Sequence, residues 1–265
     1  MPEICNGFFK KNANLVKFDF SGFNLSKVTS MEEMFSECSN LQTVVFDDET
    51  DTSKLQSVRY TFFKCGKLKT IDLSTWSTDS LTNMEYTFDT CSILEYINFG
   101  ESGWTINNPL NLHNTFTRCK KLNQKFDNFH VSNATHVGSL FKECNALTEV
   151  DVSNIVVANS ENMEQVFYNC TSLRVVKLGS WDTSNANQLN AFFSGCKNLT
   201  TIYANSFTVK SGCKVNDIFK ECTKLKGGNG TAYNSNYANK ADYAHVDGEN
   251  GLPGFFTDPS LYPGN

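Results

Sequence analysis

Apolar residues along the chain fall into one register that recurs from end to end. Cys38, Cys65, Cys91, Cys119, Cys144, Cys170, Cys196 and Cys222 lie 25 to 28 residues apart, each with Phe three positions before it and Leu three positions after it. Seven positions before each cysteine stands Met, Val or Leu, as at Met31, Val58 and Leu112. Self-similarity at such a period marks a repeat architecture. Apolar residues at −7, −4, −3 and 0 from the cysteine follow helical spacing, so a helical turn or two is predicted there with this face buried. Ser30 with Glu33 and Thr82 with Glu85 give the S/T-x-x-E pattern that opens a helix.

After the leucine the period changes to two. Ile71 and Leu73 flank Asp72, Ile97 and Phe99 flank Asn98, and Val176 and Leu178 flank Lys177, which is strand spacing. A polar turn follows, with one large apolar residue fifteen positions before the next cysteine. Phe23, Trp76, Trp104, Phe129, Ile155, Trp181 and Phe207 stand there, and Thr50 is the exception. One unit therefore reads strand, turn, short helix, turn. So small a unit cannot bury its own apolar face and must stack on its neighbours. Phe9, Asn12, Leu15, Phe18 and Phe20 repeat the pattern ahead of the first full unit, with Asn in the cysteine place. Both side chains can donate to a backbone carbonyl.

The expected architecture is an α/β repeat solenoid, leucine-rich-repeat-like, with about nine strand–turn–short-helix coils and one parallel β-sheet. Nine coils would span about 40 Å at the strand spacing. The expected segments are a partial coil over 1–21, the solenoid over 22–226, a cap over 227–257 and a short tail over 258–265. Tyr233, Tyr243, Leu252, Phe255 and Phe256 are expected to cover the last coil. The Cys119 unit departs from the pattern, with Lys125 and Asp127 at apolar strand positions, so its strand is expected to be shifted or irregular.

These units resemble the leucine-rich repeats of BspA-like bacterial surface proteins, in which F-x-x-C-x-x-L-x-x-I-x-L recurs. ILEYINF, LNQKFDNFHVSNATHV and GSWDTSNANQL are similar to variants of that repeat, and GGNGTAYNSNYANKADYAHVDGENGLPGFFT resembles the family's glycine- and tyrosine-rich closing segment. The resemblance covers residues 9 to 257. It implies display at the cell surface or in the extracellular space, and adhesion to a protein or glycan of a host or neighbouring cell.

Composition narrows the functional classes. Hydrophobic residues form 40% of the chain and charged residues 19%, as in a folded protein. A net charge of −5 offers no basic footprint for nucleic acid or an anionic membrane. No apolar run approaches the ~20 residues of a membrane span. The N-terminus MPEICNGFFKK has no apolar stretch behind a basic head and does not read as a secretory signal.

Candidate chemistry is sparse. No C-x-x-C occurs, and ligands spaced one coil apart in a row do not converge on zinc. The eight ladder cysteines therefore read as packed free thiols, and Cys5 and Cys213, which lie off the ladder, are the candidates for reactivity. His113, His130, His136 and His245 accompany no nucleophile, zinc or phosphate motif, so no catalytic residue, metal site or cofactor is assigned. The acidic turn at Asp47, Asp48, Glu49 and Asp51, and the tail acids Asp242, Asp247 and Glu249, hold enough oxygen for calcium, but neither follows a loop spacing that calcium requires.

The sequence thus points away from an enzyme and toward a non-catalytic binding module working through its strand face. Outward strand positions vary between coils while inward ones repeat. Tyr96, Asn98, Asp151, Lys177 and Tyr203 are the candidate contacts, the two tyrosines being the anchors. A structural component of a larger surface or virion-type particle is the alternative, with the chain either a monomer or part of such an assembly.

Overall fold

The computed structural model describes residues 1–239 and 241–263. Position 240 of the expected cap and positions 264 and 265 of the expected tail lie outside the described residues. The chain coils into a parallel β-solenoid. Its strands are β1 (Lys17–Asp19), β2 (Thr43–Val45), β3 (Thr70–Asp72), β4 (Tyr96–Asn98), β5 (Trp104–Ile106), β6 (Leu110–Asn111), β7 (Phe129–Val131), β8 (Ala134–His136), β9 (Glu149–Asp151), β10 (Val175–Gly179) and β11 (Thr201–Ala204).

The expected helices do not form. Among the described residues the only helical pieces are three-residue 3-10 turns, all after residue 240, so "α/β" overstates the fold. In place of each helix the chain makes a run of tight turns. The residues five and one before each cysteine have φ between 53° and 81°, as in the pairs Glu33/Glu37, Tyr60/Lys64 and Asn114/Arg118. A positive φ at the third residue of a four-residue turn is the type II signature. The amides of Met34 and Cys38 close such turns on the carbonyls of Met31 and Phe35 at 3.1 and 3.0 Å, and the Ser36 amide closes the intervening turn on Glu33 at 3.0 Å. The amides in between, on Met31, Glu33, Phe35 and Glu37, point along the stack. They donate to the carbonyls of Ser57, Arg59, Thr61 and Phe63 in the next coil at 2.7–3.0 Å.

Half of the amides thus bond within a coil and half between coils. A helix would turn all of them inward and leave the coils joined by side chains alone. Apolar spacing of three and four residues suits both arrangements, and the stacking bonds select the turns. The capping boxes dissolve accordingly: Ser30 donates to Asn6, and the Thr82 hydroxyl to the Gln56 carbonyl of the preceding coil.

The interior is the predicted ladder. Phe9, Phe35, Phe62, Phe88, Phe116, Phe141, Phe167, Phe193 and Phe219 stack with ring centroids 5.4–5.9 Å apart. Each ladder thiol donates to the carbonyl of the phenylalanine one coil back, from Cys38 on Phe9 at 2.9 Å to Cys222 on Phe193 at 3.1 Å. That carbonyl already accepts the amide of its own coil's cysteine, as Phe35 accepts from Cys38 at 3.0 Å and from the Cys65 thiol at 3.1 Å. Asn12, at the equivalent place in the first coil, instead has an exposed side chain that accepts from the Asn14 amide.

The turn segment recurs nine times, but a strand follows only seven of them, β1 to β4 and β9 to β11. The solenoid therefore has about seven full turns rather than nine. Nor is there one sheet. β1 pairs with β2, β3 with β4, and β10 with both β9 and β11, all parallel, with one register shift at Lys177/Gly179 between β10 and β11. Strands of three residues hold few ladder bonds, so β2 and β3 lie in contact without sharing any. The larger break falls at the Cys119 coil. There Phe126, at φ 67°, turns its ring into the core against Phe116 and Phe141. The Gln124 carboxamide stands in for the missing peptide, accepting from the Ile97 amide at 2.8 Å and donating to the Ile97 carbonyl at 3.4 Å. On the other side of this coil β5 pairs with β7 and β6 with β8.

The C-terminal segment closes the last coil. Thr257 sits beside β11, its amide donating to Ile202 at 2.8 Å, while Phe255 and Phe256 are fully buried against Phe219. Leu252, expected in this cover, is exposed. Asp247 ties the cap together by accepting from the amides of Asn229, Thr231 and Gly254 and from the Thr231 hydroxyl. Burial works against its ionisation, but these donors outweigh it and hold the carboxyl below the usual range.

Two outcomes follow from this packing. Phe141→Ala, with a ring stacked on either side, should cost about 3–5 kcal/mol in urea unfolding, and Phe9→Ala, stacked on one side only, clearly less. Equal losses would contradict the column. Asp247 has a depressed folded pKa, so its contribution is present above the unfolded value of about 3.9 and is lost as pH falls through the folded one. Melting temperature measured against pH should show this acid-side loss in the native chain. Asp247→Asn should be less stable at pH 7 and lack that component.

Candidate binding face

The strand register puts the outward residues in two parallel columns. One contains Thr43, Thr70, Tyr96, Glu149 and Thr201, and the other Asp72, Asn98, Asp151, Lys177 and Tyr203. The break at the Cys119 coil divides the five candidate residues. Tyr96 and Asn98 lie on β4, before it. Asp151, Lys177 and Tyr203 lie side by side on β9, β10 and β11, starting two coil steps or about 10 Å further on.

Two of the five serve the turns that end their strands. The Asn98 carboxamide accepts from the Gly100 amide at 3.0 Å and donates to Asp72 at 3.1 Å. Asp151 accepts from the amide and hydroxyl of Ser153 at 3.1 and 2.6 Å. Short side-chain acceptors two residues before an amide make such turns readily. Tyr96 has no such task and is 48% exposed, the most open tyrosine on the face.

Lys177 and Tyr203 belong to a cluster that sequence spacing did not reveal. The Lys177 ammonium lies 3.5 Å from the Asp151 carboxylate, 4.0 Å from Glu149, and 3.5 Å from the centre of the Tyr262 ring. Tyr262 comes from the C-terminal segment. Its ring meets Tyr203 edge-on at 5.2 Å, and its hydroxyl donates to Glu149 at 3.1 Å. Tyr203 is consequently only 9% exposed. Burial opposes the charge on Lys177, but Tyr262 and Asp151 prevail and raise its pKa above the ordinary value. A cavity of about 250 Å³ lies beside the ring, bounded by Ser153, Gly179, Asn205 and Pro259. Gly179 has φ 60° and approaches Ser153 so closely that a Cβ would sit 2.7 Å from the serine Cβ, so only glycine fits the end of β10.

The remaining candidates are dispersed. The eight ladder cysteines are buried free thiols, and burial pushes Cys65, Cys91, Cys119, Cys144 and Cys196 well above the usual thiol range and Cys222 up to about 12. Cys5 is buried too and donates to the Pro2 carbonyl, whereas Cys213 is partly exposed, with a pKa raised by burial. His113 is half-buried, with its pKa lowered chiefly by burial, and His130, His136 and His245 lie on other elements. Among the described residues no group of three His, Cys, Asp or Glu side chains is placed to hold a metal ion. In the acidic turn, Thr50 fills the plug position by donating to Asp47, and Asp51 accepts from the Ser53 amide. Among the described residues no helix is long and apolar enough to cross a membrane.

Comparison with known proteins places the repeat in a family. The family model described as Mycoplasma protein of unknown function, DUF285, matches residues 4–98, 95–200 and 151–246. A search of curated proteins finds no match. Among solved structures, the crystal structure of a leucine-rich repeat protein from Bacteroides ovatus aligns with 80% of this chain at 20% identity and a TM-score of 0.32. The chain spans about 60% of that protein's length.

Thiol chemistry checks the placement of the cysteines. One thiol, that of Cys213, should react with a disulfide reagent in the native protein, faster as pH rises toward its raised pKa, and the other nine only on unfolding. Cys213→Ser should remove the native reaction. A second fast thiol would show that the ladder is open to solvent.

Proposed function

The chain belongs to the DUF285 family of Mycoplasma proteins of unknown function, and from that premise we propose that it is a non-catalytic binding module recognising a protein or glycan partner through its strand face. The observation that carries this reading is the seat of Tyr262. The outward side chains of β9, β10 and β11 already hold an aromatic side chain from another segment by charge, edge contact and hydrogen bond. A solenoid supports such recognition because inward positions fix the stack while outward positions are free to differ. Tyr96 extends the face beyond the broken coil as an exposed aromatic anchor. The Phe-x-x-Cys-x-x-Leu units support the narrower assignment to BspA-like proteins. Surface display and adhesion to a host or neighbouring cell are part of the same proposal.

A second reading, a component of a larger assembly, draws on the first coil. Ile4, Phe8, Val16 and Phe23 are exposed together there, whereas the opposite end of the stack is closed by the cap. Light scattering across a concentration series separates the two: a free module stays monomeric, and an assembly component grows. For the leading reading, the chain is presented to arrays of glycans and extracellular proteins, and any binder is then measured by surface plasmon resonance. Tyr96→Ala should weaken binding by about tenfold, as expected for an aromatic anchor. Unchanged affinity for an identified binder removes Tyr96 from the contact, and an array without binders defeats the reading.

A further inference from the structure

We propose that Glu149, Lys177 and Tyr203 form a receptor for a tyrosine side chain carried by an extended protein segment, and that residues 258–262 are its resident occupant, displaced when a tyrosine-bearing partner segment binds. This inference rests on the strand-face reading and names the ligand of one corner of that face.

The three contacts to Tyr262 are specific to a phenol in combination. A cation 3.5 Å from the ring centre selects an aromatic face, and the perpendicular Tyr203 ring at 5.2 Å fixes its tilt. The Glu149 carboxylate accepts a hydrogen bond from the hydroxyl at 3.1 Å, a bond that phenylalanine cannot make. All three receptor residues are positioned by elements outside the tail. Glu149 and Tyr203 sit on paired strands flanking β10, and Lys177 is braced by Asp151.

The occupant is attached differently from the cap that precedes it. Thr257 is bonded into the edge of β11 and Phe255 and Phe256 are buried, so the cap is complete without the residues that follow. Beyond Thr257 the chain makes one 3-10 turn, capped by Asp258 accepting from the Ser260 amide at 2.8 Å. Asp258 and Ser260 are exposed, and Leu261 is 57% exposed. A segment serving only to close the fold would bury its leucine. Here the leucine faces solvent and a polar-tipped ring is seated by charge, which is the form of an exchangeable contact. The cavity beside the ring leaves space for flanking groups larger than those of the tail.

Tethering gives the resident tyrosine an effective concentration in the millimolar range, so a lone tyrosine peptide competes poorly with it. A partner segment that also reaches Tyr96, about 15 Å away at three coil steps, has the additional contact needed. Five extended residues cover that distance.

The test uses the full chain and a fluorescent peptide with the sequence of residues 257–263, read by polarisation. Tyr262→Ala should bind the peptide, and the native chain should bind it at least tenfold more weakly. The same peptide with Tyr replaced by Phe should bind Tyr262→Ala about tenfold more weakly, through loss of a charge-assisted hydrogen bond. Adding Lys177→Ala to Tyr262→Ala should abolish binding. Equal binding by the native chain and Tyr262→Ala, or none by Tyr262→Ala, overturns the proposal. If Tyr262→Ala binds no peptide while an array binder still depends on Tyr96, the strand-face reading stands and this inference alone fails. A reading independent of that variant is hydrogen exchange in Lys177→Ala, which should speed at 258–262 and stay slow at 255–257. Unchanged exchange at 258–262 also overturns it. Concentration-dependent dimers of the native chain that vanish in Tyr262→Ala would make a second copy's tail the occupant and overturn the assignment to the chain's own tail.

Discussion

The structure depends on a carbonyl that accepts twice. Within each coil the phenylalanine carbonyl closes a turn by taking the cysteine amide, and its second lone pair takes the thiol of the following coil. A thiol suits the position because it is small, apolar enough to sit among phenylalanine and leucine, and still a donor. Each such bond contributes little, about 0.5–1.5 kcal/mol for an ordinary hydrogen bond and less for sulfur. Their effect is on register. A coil displaced by one residue loses its thiol bond, its stacked ring and its between-coil amide bonds together. Buried Thr61, Thr87 and Thr115 follow the same logic, their hydroxyls reaching the carbonyls of Met31, Val58 and Met84 one coil back at 2.8–3.0 Å. The fold accepts left-handed backbone at ordinary residues such as Glu33 and Lys64 in return for aiming half of its amides along the stack.

The repeat was legible because interior positions answer to one geometry applied many times. Phe, Cys and Leu recur since each meets its own copy one coil away. The turns imitate a helix for a physical reason, since linked tight turns and a helix both place apolar side chains three and four residues apart. Signals against a helix were present at the left-handed positions, where Gly7, Asn114, Asn169 and Gly195 stand. Glycine and asparagine tolerate positive φ far better than other residues, but most −5 and −1 positions hold ordinary residues such as Glu33 and Lys64, so the signal is faint. The S/T-x-x-E pairs obscured this by supplying hydroxyls and carboxylates that the stack uses between coils.

The Cys119 coil shows how much irregularity the solenoid absorbs. Lys125 and Asp127 correctly marked it as lacking an ordinary strand. What spacing could not convey is the repair, a glutamine side chain offering one acceptor and one donor where a peptide group should be, with Phe126 swung inward to fill the core. A carboxamide is chemically a peptide bond without the chain, so Gln124 keeps Ile97 paired although the sheet itself is cut. The cut matters for recognition, because it separates Tyr96 from the Lys177 cluster and makes the face two patches rather than one.

Residues of that face were only partly legible, and the limit lies in what periodicity measures. Repetition identifies positions that meet their own copies; it is silent on a contact made once. The Tyr262–Glu149 bond joins residues 113 positions apart and belongs to no coil. Outward variation did point to Lys177 and Tyr203, but not to their being covered, nor to Asn98 and Asp151 being engaged in ending strands. A solenoid assigns its repeating positions to packing and its unique ones to everything else. The place where three unique outward residues converge on a non-repeating segment is therefore where its specificity should be sought, ahead of any position chosen for exposure alone.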